Sequence, residues 1–462
     1  MFNSINGIVK QGEINMWDKK VLVYGSGISG IGACRLLIEK NIQVILYDES
    51  ASKSEDEIRA ILEGNDVEIV IGRFPMELME ELSLVVLSPG VPTDLPIVNT
   101  FREREIPIWG EIELAYYFGK GDVLAITGTN GKTTTTALLG EIMTAYCEET
   151  YVVGNIGNPY TEIALTTTER SIVVAEMSSF QLETIESFAP RISAILNITP
   201  DHLNRHHTME AYIEAKKSIA INQHEAQICV LNYEDEVTRN FGGEVEAQVL
   251  YFSSKCKLEK GIYLDGDNII YKNPEEVVVC NIHELKILGV HNYENVMAAT
   301  AMALAYGVPL EIVHRAVCAF KGVEHRIEFV GEFQGVTYYN DSKGTNPDAA
   351  IKGIQAMNRP TILIGGGYDK NSEYEEWIEA FEGRVKALVL TGQTRFKIEE
   401  AAKRCGVENI LLIEDFQEAL IKSAELAEPG DAVLLSPACA SWGAFKNYEE
   451  RGDKFKEIVK NL

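Results

Sequence analysis

The chain has 462 residues, 46% of them hydrophobic and 24% charged, which at roughly 150 residues per domain suggests about three domains. Its 42 basic and 69 acidic residues leave a formal net charge of −27, which argues against non-specific binding to nucleic acid or to anionic membranes. Any anionic ligand must be held by local basic side chains and backbone N–H groups, against the overall field. The eight cysteines are scattered without a C-x-x-C pair, so a reduced, intracellular setting is expected and neither a disulfide frame nor a zinc site is suggested. The first fifteen residues lack the basic start and apolar run of a secretory leader. No window reaches ~18 uninterrupted apolar residues, so no membrane span is expected. A cytoplasmic enzyme is the resulting expectation.

Short apolar runs ending in Gly, Ser, Pro or Asp alternate with helical patterns almost throughout. The run 20–24 leads into a glycine loop and a helical stretch over 31–40, followed by runs at 43–47, 67–71 and 84–87. Val- and Ile-rich runs of this length, separated by helices, predict parallel strands in βαβ units. This first set closes near Gly110. A second begins at 123–127 and continues at 171–175, 192–196 and 228–231, with a hairpin predicted around the turn residues 265–268. A helix is predicted over 292–306, stopped by Gly307 and Pro309 and with Asn292 as a possible cap. A third set follows at 337–339, 361–364, 385–390, 410–413 and 432–435. The expected fold class is α/β in three domains: a Rossmann-like domain over 1–110, a P-loop ATPase-type domain with a mixed sheet over 111–322, and a second Rossmann-like domain over 323–462.

Open α/β sheets bind ligands beyond the carboxyl ends of their strands, and the chemistry-bearing residues cluster there. Gly25-Ser-Gly27-Ile-Ser-Gly30 follows the first strand and Asp48 ends the second, the spacing of a dinucleotide or other diphosphate-nucleotide loop. The bland alternative is a glycine turn that packs helix on sheet. Gly128-Thr129-Asn130-Gly131-Lys132-Thr133-Thr134 lies between a strand and a helix. Its glycines expose N–H groups to phosphates, Lys132 offers a point charge and Thr133 can ligate Mg²⁺, although Ile126 replaces the first glycine of the full P-loop pattern. Glu176 follows the run 171–175 and suits Mg²⁺, or simply a helix N-terminus. The cluster Asp201, His202, His206, His207 fits no common zinc spacing, and His202 is its best candidate for magnesium or phosphate. Lys216 and Lys217 read by composition as a solvated helix face. The polar loop 340–347 suits carboxylate or phosphate binding, and Cys439 reads as a buried small residue, having no evident histidine partner.

Taken together these motifs resemble those of the Mur ligases. G-T-N-G-K-T (128–133), G-N-I-G (154–157), E-M-S-S-F-Q-L (176–182), N-I-T-P-D-H-L (197–203), Y-I-E-A-K (212–216), H-N-Y-E-N (291–295) and H-R-I-E (325–328) occur in the family's order. The loop 341–347 and the segments 436–441 and 445–452 resemble the member that joins D-glutamate to UDP-N-acetylmuramoyl-L-alanine. The resemblance implies a cytoplasmic, monomeric, ATP-dependent amide ligase of peptidoglycan precursor synthesis that works through an acyl phosphate. It implies Lys132, Glu176, His202 and Lys216 as catalytic residues. Thr133, Glu176, His202 and Lys216 would serve two Mg²⁺ ions, with Lys216 matching the family's carbamylated lysine. Gly128 to Thr134, Asn292, Asn295, Arg326 and Asp341 would surround ATP. Ser29, Asp48, Ser88, Gly90, Asn155, Ser178 and Gln181 would face the UDP-sugar, and Lys343, Thr345, Lys370, Ser441 and Tyr448 would position D-glutamate.

Glu49 and Ser50 stand where other members often carry Thr and Arg, and Asp369 lies beside Lys370. The closest alternative is another Mur-type ligase adding a different amino acid. A nicotinamide-dependent dehydrogenase would account for the first loop but leaves Lys132 and Glu176 without a task. A non-catalytic P-loop switch would bind nucleotide without forming an amide.

Overall fold

The computed structural model describes residues 16–50, 54–65, 67–370 and 372–462. The opening residues read for a secretory leader lie outside these. No helix among the described residues is long and apolar enough to cross a membrane. By internal packing the chain divides into two units. The first runs to Lys132 and takes in Met143–Tyr251 and Ala305–Gly307; the second holds Thr133–Ile142, Phe252–Leu304 and Val308–Leu462.

The first unit opens with five parallel strands, β1 (Lys20–Tyr24), β2 (Val44–Asp48), β3 (Glu68–Ile71), β4 (Leu82–Leu87) and β5 (Ile108–Gly110), in the order β3-β2-β1-β4-β5. β1 and β4 are apolar on both faces and buried, as a strand covered by helices on each side must be. The order reverses between β1 and β4, so a crevice opens beyond their carboxyl ends.

The same unit contains β6 (Asp122–Thr127), β7 (Thr150–Gly154), β8 (Ile172–Glu176), β9 (Ile192–Ile195), β10 (Ile228–Asn232) and the first four residues of β11 (Gln248–Ser253), in the order β11-β10-β9-β6-β8-β7. Strands β10 to β7 of this series are parallel. The helix Glu111–Phe118 joins the two sheets, and its acids fasten the joint. Glu113 accepts from the backbone N–H groups of Glu186, Ser187 and Phe188, and Glu111 from that of Thr161 at 2.6 Å. Burial pushes the Glu111 carboxyl up to about 7, partly offset by the Thr161 hydrogen bonds. One continuous apolar core runs from Val21 and Leu84 through Trp109 to Val123, Val173 and Tyr212.

In the second unit β12 (Gly261–Asp265), β13 (Asn268–Lys272) and β14 (Glu276–Asn281) form an antiparallel meander. The predicted hairpin turn is present: Asp265 pairs with Asn268 across Gly266 and Asp267. A long helix covers Val290–Tyr306. Asn292 is therefore inside its first turn and not a cap; its Nδ2 donates to Leu288 O at 2.8 Å. The remaining strands are β15 (Glu328–Phe333), β16 (Val336–Asn340), β17 (Thr361–Gly365), β18 (Val385–Leu390), β19 (Ile410–Leu412) and β20 (Ala432–Leu435), ordered β15-β16-β20-β17-β18-β19. All are parallel except β15, which runs against β16. The loops after β16, β17 and β20 thus leave three neighbouring strands on the same side.

Candidate active site

The N-terminal glycine loop lines a cleft of about 480 Å³ at the β1/β4 crevice, with Ser29, Asp48, Ser88, Gly90 and Val91 all on its wall. A Cβ on Gly30 would sit 1.8 Å from Gly25 O, so the turn closes only on glycine. Asp48 Oδ2 accepts from Ser26 N at 2.7 Å and Ser26 Oγ at 2.5 Å, while Oδ1 accepts from Ser50 N and Oγ, both at 2.9 Å. Burial raises its pKa, but these hydrogen bonds outweigh that and hold the carboxyl below its ordinary range. In this arrangement Asp48 fastens the glycine loop to residue 50. Ser50 gives that carboxylate a neutral partner.

The second phosphate loop follows β6. Gly131 (φ +85°) leads into the 15-residue helix Lys132–Tyr146, whose first turn carries Lys132, Thr133 and Thr134. The loop is anchored from β9: Asn130 N donates to Asn197 Oδ1 at 2.8 Å and Thr129 N to Asn197 O at 2.9 Å. Thr129 Oγ1 lies 3.0 Å from Tyr212 OH. Lys132 Nζ donates to Gly128 O (2.8 Å) and Thr129 O (2.9 Å), so its charge sits over the loop that would take phosphates.

Glu176 ends β8, directly beside β6, in the position the sequence suggested for a metal ligand. It is 1% exposed; Oε1 accepts from Asn155 Nδ2 at 2.7 Å and Oε2 has no partner. Gly154 makes this approach possible, because a Cβ there would lie 2.2 Å from Glu176 O. A buried carboxylate oxygen without a hydrogen bond is costly unless a cation meets it, so Glu176 suits Mg²⁺.

Lys216 overturns its compositional reading. The structure buries it to 1% exposure, with Nζ donating to Gly128 O at 2.8 Å and 4.7 Å above the Tyr212 ring. Burial first, and the neighbouring Lys132 charge second, push its pKa down to about 7, against the opposing pull of Asp201. Two lysine amines therefore converge on one carbonyl. Lys217 is less buried than Lys216, with 16% of its side chain exposed, 5.2 Å over the Phe241 ring and ion-paired with Glu244 at 2.9 Å and Glu214 at 3.4 Å.

His202 is exposed, has φ +52° and lies 3.5 Å from Asp201 Oδ2. Its segment is held by His206 of the same cluster and by Arg205, which the sequence did not single out. His206 is buried, meets Ser179 Oγ at 2.9 Å and Glu183 at 3.2 Å, and stacks on Phe180. Arg205 reaches both Glu183 and Val91 O at 2.9 Å. Ser178 and Gln181 cap the short helix Ser179–Leu182 reciprocally, each using a side-chain oxygen on the other's backbone N–H. These two candidates thus shape the β8 loop in this structure.

In the second unit Asn295 accepts from Thr135 Oγ1 at 3.3 Å and donates to Asn292 Oδ1 at 3.2 Å. Asp341 is buried after β16, accepting from Ser436 Oγ at 2.7 Å. Burial pushes its pKa up to about 7, the Ser436 hydrogen bond and the exposed Arg326 opposing. Lys343 lies 5.4 Å over the Tyr448 ring, and Lys370 4.8 Å over Trp442. Thr345 is half-buried and Ser441 buried. A cleft of about 720 Å³ is lined by Ser441, Arg395, Arg451 and Lys454, but not by Lys343, Thr345, Lys370 or Tyr448.

Arg451 is the residue the sequence reading missed, since an arginine in a charged helix pattern carries no sign of burial. Its guanidinium donates to Ser342 Oγ (2.9 Å), Ser342 O (2.8 Å) and Cys439 O (3.2 Å), tying the loop after β16 to the loop after β20. Arg451→Met is expected to lower the unfolding free energy by about 3 kcal/mol, because three buried acceptors lose a charged donor; chemical denaturation measures it. A change within experimental error would show the tie to be unimportant.

Comparison with known proteins agrees with this layout. The MurD-like N-terminal domain of Mur ligases matches residues 19–110, the Mur ligase middle domain 126–303, and the Mur ligase glutamate ligase domain 325–439. The chain belongs to the Mur ligase family. Among relatives of this Mur ligase, the UDP-N-acetylmuramoylalanine–D-glutamate ligase of Lachnoclostridium phytofermentans is 57% identical over 97% of this chain and 99% of its own. The enzyme of that name from Clostridioides difficile is 46% identical over 97% and 100%. Solved Mur ligases share the fold at low identity. MurF of Acinetobacter baumannii has a TM-score of 0.60 at 16% identity, covering 96% of this chain and 93% of its own. UDP-N-acetylmuramate-alanine ligase MurC of Thermotoga maritima has a TM-score of 0.57 at 20% identity, covering 96% and 99%. The three-domain α/β expectation therefore holds for this Mur ligase, and the dehydrogenase and non-catalytic switch readings fall with the family assignment.

Proposed function

We propose that this chain joins D-glutamate to UDP-N-acetylmuramoyl-L-alanine in the cytoplasm, converting ATP to ADP and phosphate. The alanyl carboxylate attacks the γ-phosphorus and ADP leaves. The amine of D-glutamate then adds to the acyl carbon, loses a proton, and the tetrahedral adduct expels phosphate. In this reading 1–110 binds the UDP-sugar, 111–322 binds ATP and 323–462 binds the amino acid. The observation that carries it is the pair Lys132 and Lys216 on Gly128 O, beside the buried Glu176 strand, in a chain 57% identical to a ligase of that name.

Each group has a physical task. A carboxylate approaching a triphosphate faces charge repulsion, which Lys132 and the helix N-terminus at Gly131 reduce. Glu176, Thr133 and His202, with Lys216 as its carbamate, would hold two Mg²⁺ ions, which when bound neutralise the phosphate charge. A carbamate forms only from a neutral amine: the nitrogen lone pair adds to CO₂ and a proton leaves. The burial that holds Lys216 near 7 supplies that neutral amine at ordinary pH. Ser29, Asp48, Ser88 and Gly90 would border the UDP moiety, and Asn155, Ser178 and Gln181 the sugar. Asn292, Asn295, Arg326 and Asp341 would border ATP, while Lys343, Thr345, Lys370, Ser441 and Tyr448 would orient the two carboxylates of D-glutamate.

The test is phosphate release with each component omitted in turn. Release is expected only when ATP, UDP-N-acetylmuramoyl-L-alanine and D-glutamate are all present. Equal rates with L-glutamate, or none with the full set, would refute the assignment.

A further inference from the structure

Neither the scattered cysteines nor the histidine cluster around His202 shows a zinc spacing in the sequence. The fold nevertheless brings three different ligand types together. Glu284 closes a short 3₁₀ turn after β14, and His314 and Cys318 are four residues apart on the helix Leu310–Ala319, hence on one face of it. Their ligand atoms lie within 4.8 Å of one another, the only such group of three His, Cys, Asp or Glu side chains among the described residues.

The histidine is oriented as a ligand. Its Nδ1 lies 2.8 Å from the carbonyl of Val279 on β14, which makes Nδ1 the protonated nitrogen and leaves the Nε2 lone pair on the other side. Nε2 is 3.8 Å from Glu284 Oε1 and 4.0 Å from Cys318 Sγ. Ligands bonded to one tetrahedral zinc at 2.0–2.3 Å stand about 3.3–3.7 Å apart, so Glu284 lies within about half an ångström of that spacing from Nε2, whereas Cys318 must rotate its side chain to reach it. The sulfur also lies 3.9 Å from Nδ1, so a turn of the Cys318 side chain toward Nε2 is the adjustment that closes the set. Partial exposure of Glu284 and His314 gives an entry path and leaves room for a water as fourth ligand.

We propose that Glu284 Oε1, His314 Nε2 and Cys318 Sγ form a site for a zinc-class divalent cation, separate in composition from the residues assigned to magnesium. Binding replaces the thiol proton of Cys318, which leaves to solvent, with a bond to the metal. Because His314 already joins the helix to β14 through Val279, an ion here would clamp the helix Leu310–Ala319 to the meander. No redox step is involved.

The full chain, freed of metal by chelation and gel filtration, is titrated with Co²⁺ as an optical probe and with Zn²⁺ against a chromophoric chelator. One equivalent of Co²⁺ is expected to give a thiolate charge-transfer band and intense four-coordinate d–d bands, and Zn²⁺ to bind at about 1 µM or tighter. The residues assigned to magnesium include no cysteine, so a thiolate band cannot come from them. Cys318→Ser should abolish the band, and His314→Gln and Glu284→Gln should each weaken zinc binding at least roughly tenfold. Cys256→Ala, which removes an exposed thiol elsewhere, should change neither. Zn²⁺ should raise the melting temperature of the parent chain and not that of Cys318→Ser. A missing thiolate band in the parent, or a band that survives Cys318→Ser, would overturn the proposal. Circular dichroism of each variant confirms folding, and the milder His314→Gln gives a readout should Cys318→Ser misfold.

Discussion

Lys216→Ala should reduce turnover by roughly three orders of magnitude at saturating substrates, the scale expected when a group that stabilises charge in the transition state is removed. The side chain is fully enclosed between Gly128 O and the Tyr212 ring, so truncation leaves a space of defined shape instead of an open surface. A short-chain carboxylic acid entering that space would return the anionic oxygens that the carbamate supplies, and partial recovery of turnover with added acetate or propionate is expected. Lys217→Ala, which removes the pairs with Glu244 and Glu214 and the contact with Phe241 but nothing at the β6 loop, should stay within a few-fold of the parent enzyme. Wild-type rates for Lys216→Ala would remove the carbamate from the mechanism. Loss of activity without chemical rescue would reduce Lys216 to a packing residue.

The same lysine gives a pH dependence with a definite sign. Burial lowers its pKa from the ordinary lysine value to about 7, so the folded chain binds fewer protons here than the unfolded chain between about 7 and that ordinary value. Across this interval the contribution of Lys216 to stability rises with pH; below about 7 the penalty for burying the charge is fully present. Formation of the carbamate follows the same neutral fraction. With dissolved CO₂ held constant and bicarbonate adjusted to each pH, enzyme stripped of CO₂ should therefore regain activity at a rate that increases as pH rises through about 7. A rate that falls with pH would show that the neutral amine is not the reacting species.

Much of this arrangement was legible in the residues, and the parts that were not share a cause. The strands that carry phosphate and metal chemistry, β1, β6 and β8, are uninterrupted Val, Ile, Leu and Ala runs closed by glycine or an acid, and their motifs follow directly. Of the strands that went unread, β7 and β11 are ordinary apolar runs, whereas two others are less regular. β15 is broken by Gly331 and shifts register there, and β14 leaves Val277 and Val278 at its exposed end. Lys216 shows the limit most clearly. Its helix, Met209–Lys217, ends in two lysines that local composition cannot distinguish. Only the return of the β6 loop and the Tyr212 ring onto one of them decides which is buried. Arg451 and the Ser179–His206–Glu183 group are hidden for the same reason, since each joins segments distant in sequence. Asn292 was placed one turn wrong because an asparagine before an apolar helix resembles a cap, whereas the helix starts at Val290 and the side chain turns back to Leu288.

Lys132→Ala is the second change expected to have a large effect, and it separates nucleotide chemistry from UDP-sugar binding. Lys132 Nζ is held by Gly128 O and Thr129 O at the start of a 15-residue helix, the place where transferred phosphate charge would gather. Losing that cation should lower turnover by about 10³-fold or more, since charge on the γ-phosphate is then met by backbone dipoles and metal alone. The cleft at Ser29, Asp48, Ser88 and Gly90 is built by the β1 and β4 loops and contains no atom of Lys132. The dissociation constant for UDP-N-acetylmuramoyl-L-alanine, measured by calorimetry without ATP, should therefore stay within about twofold, less than half a kcal/mol. Removing Lys132 also takes away the like charge that helps to depress Lys216, so the remaining lysine should become more basic and carbamylate less readily at neutral pH. Part of the lost activity should then return as pH is raised, in Lys132→Ala but not in Lys216→Ala. Equal responses of the two variants to pH would mean that the two amines act independently, and their shared carbonyl at Gly128 would carry no catalytic meaning.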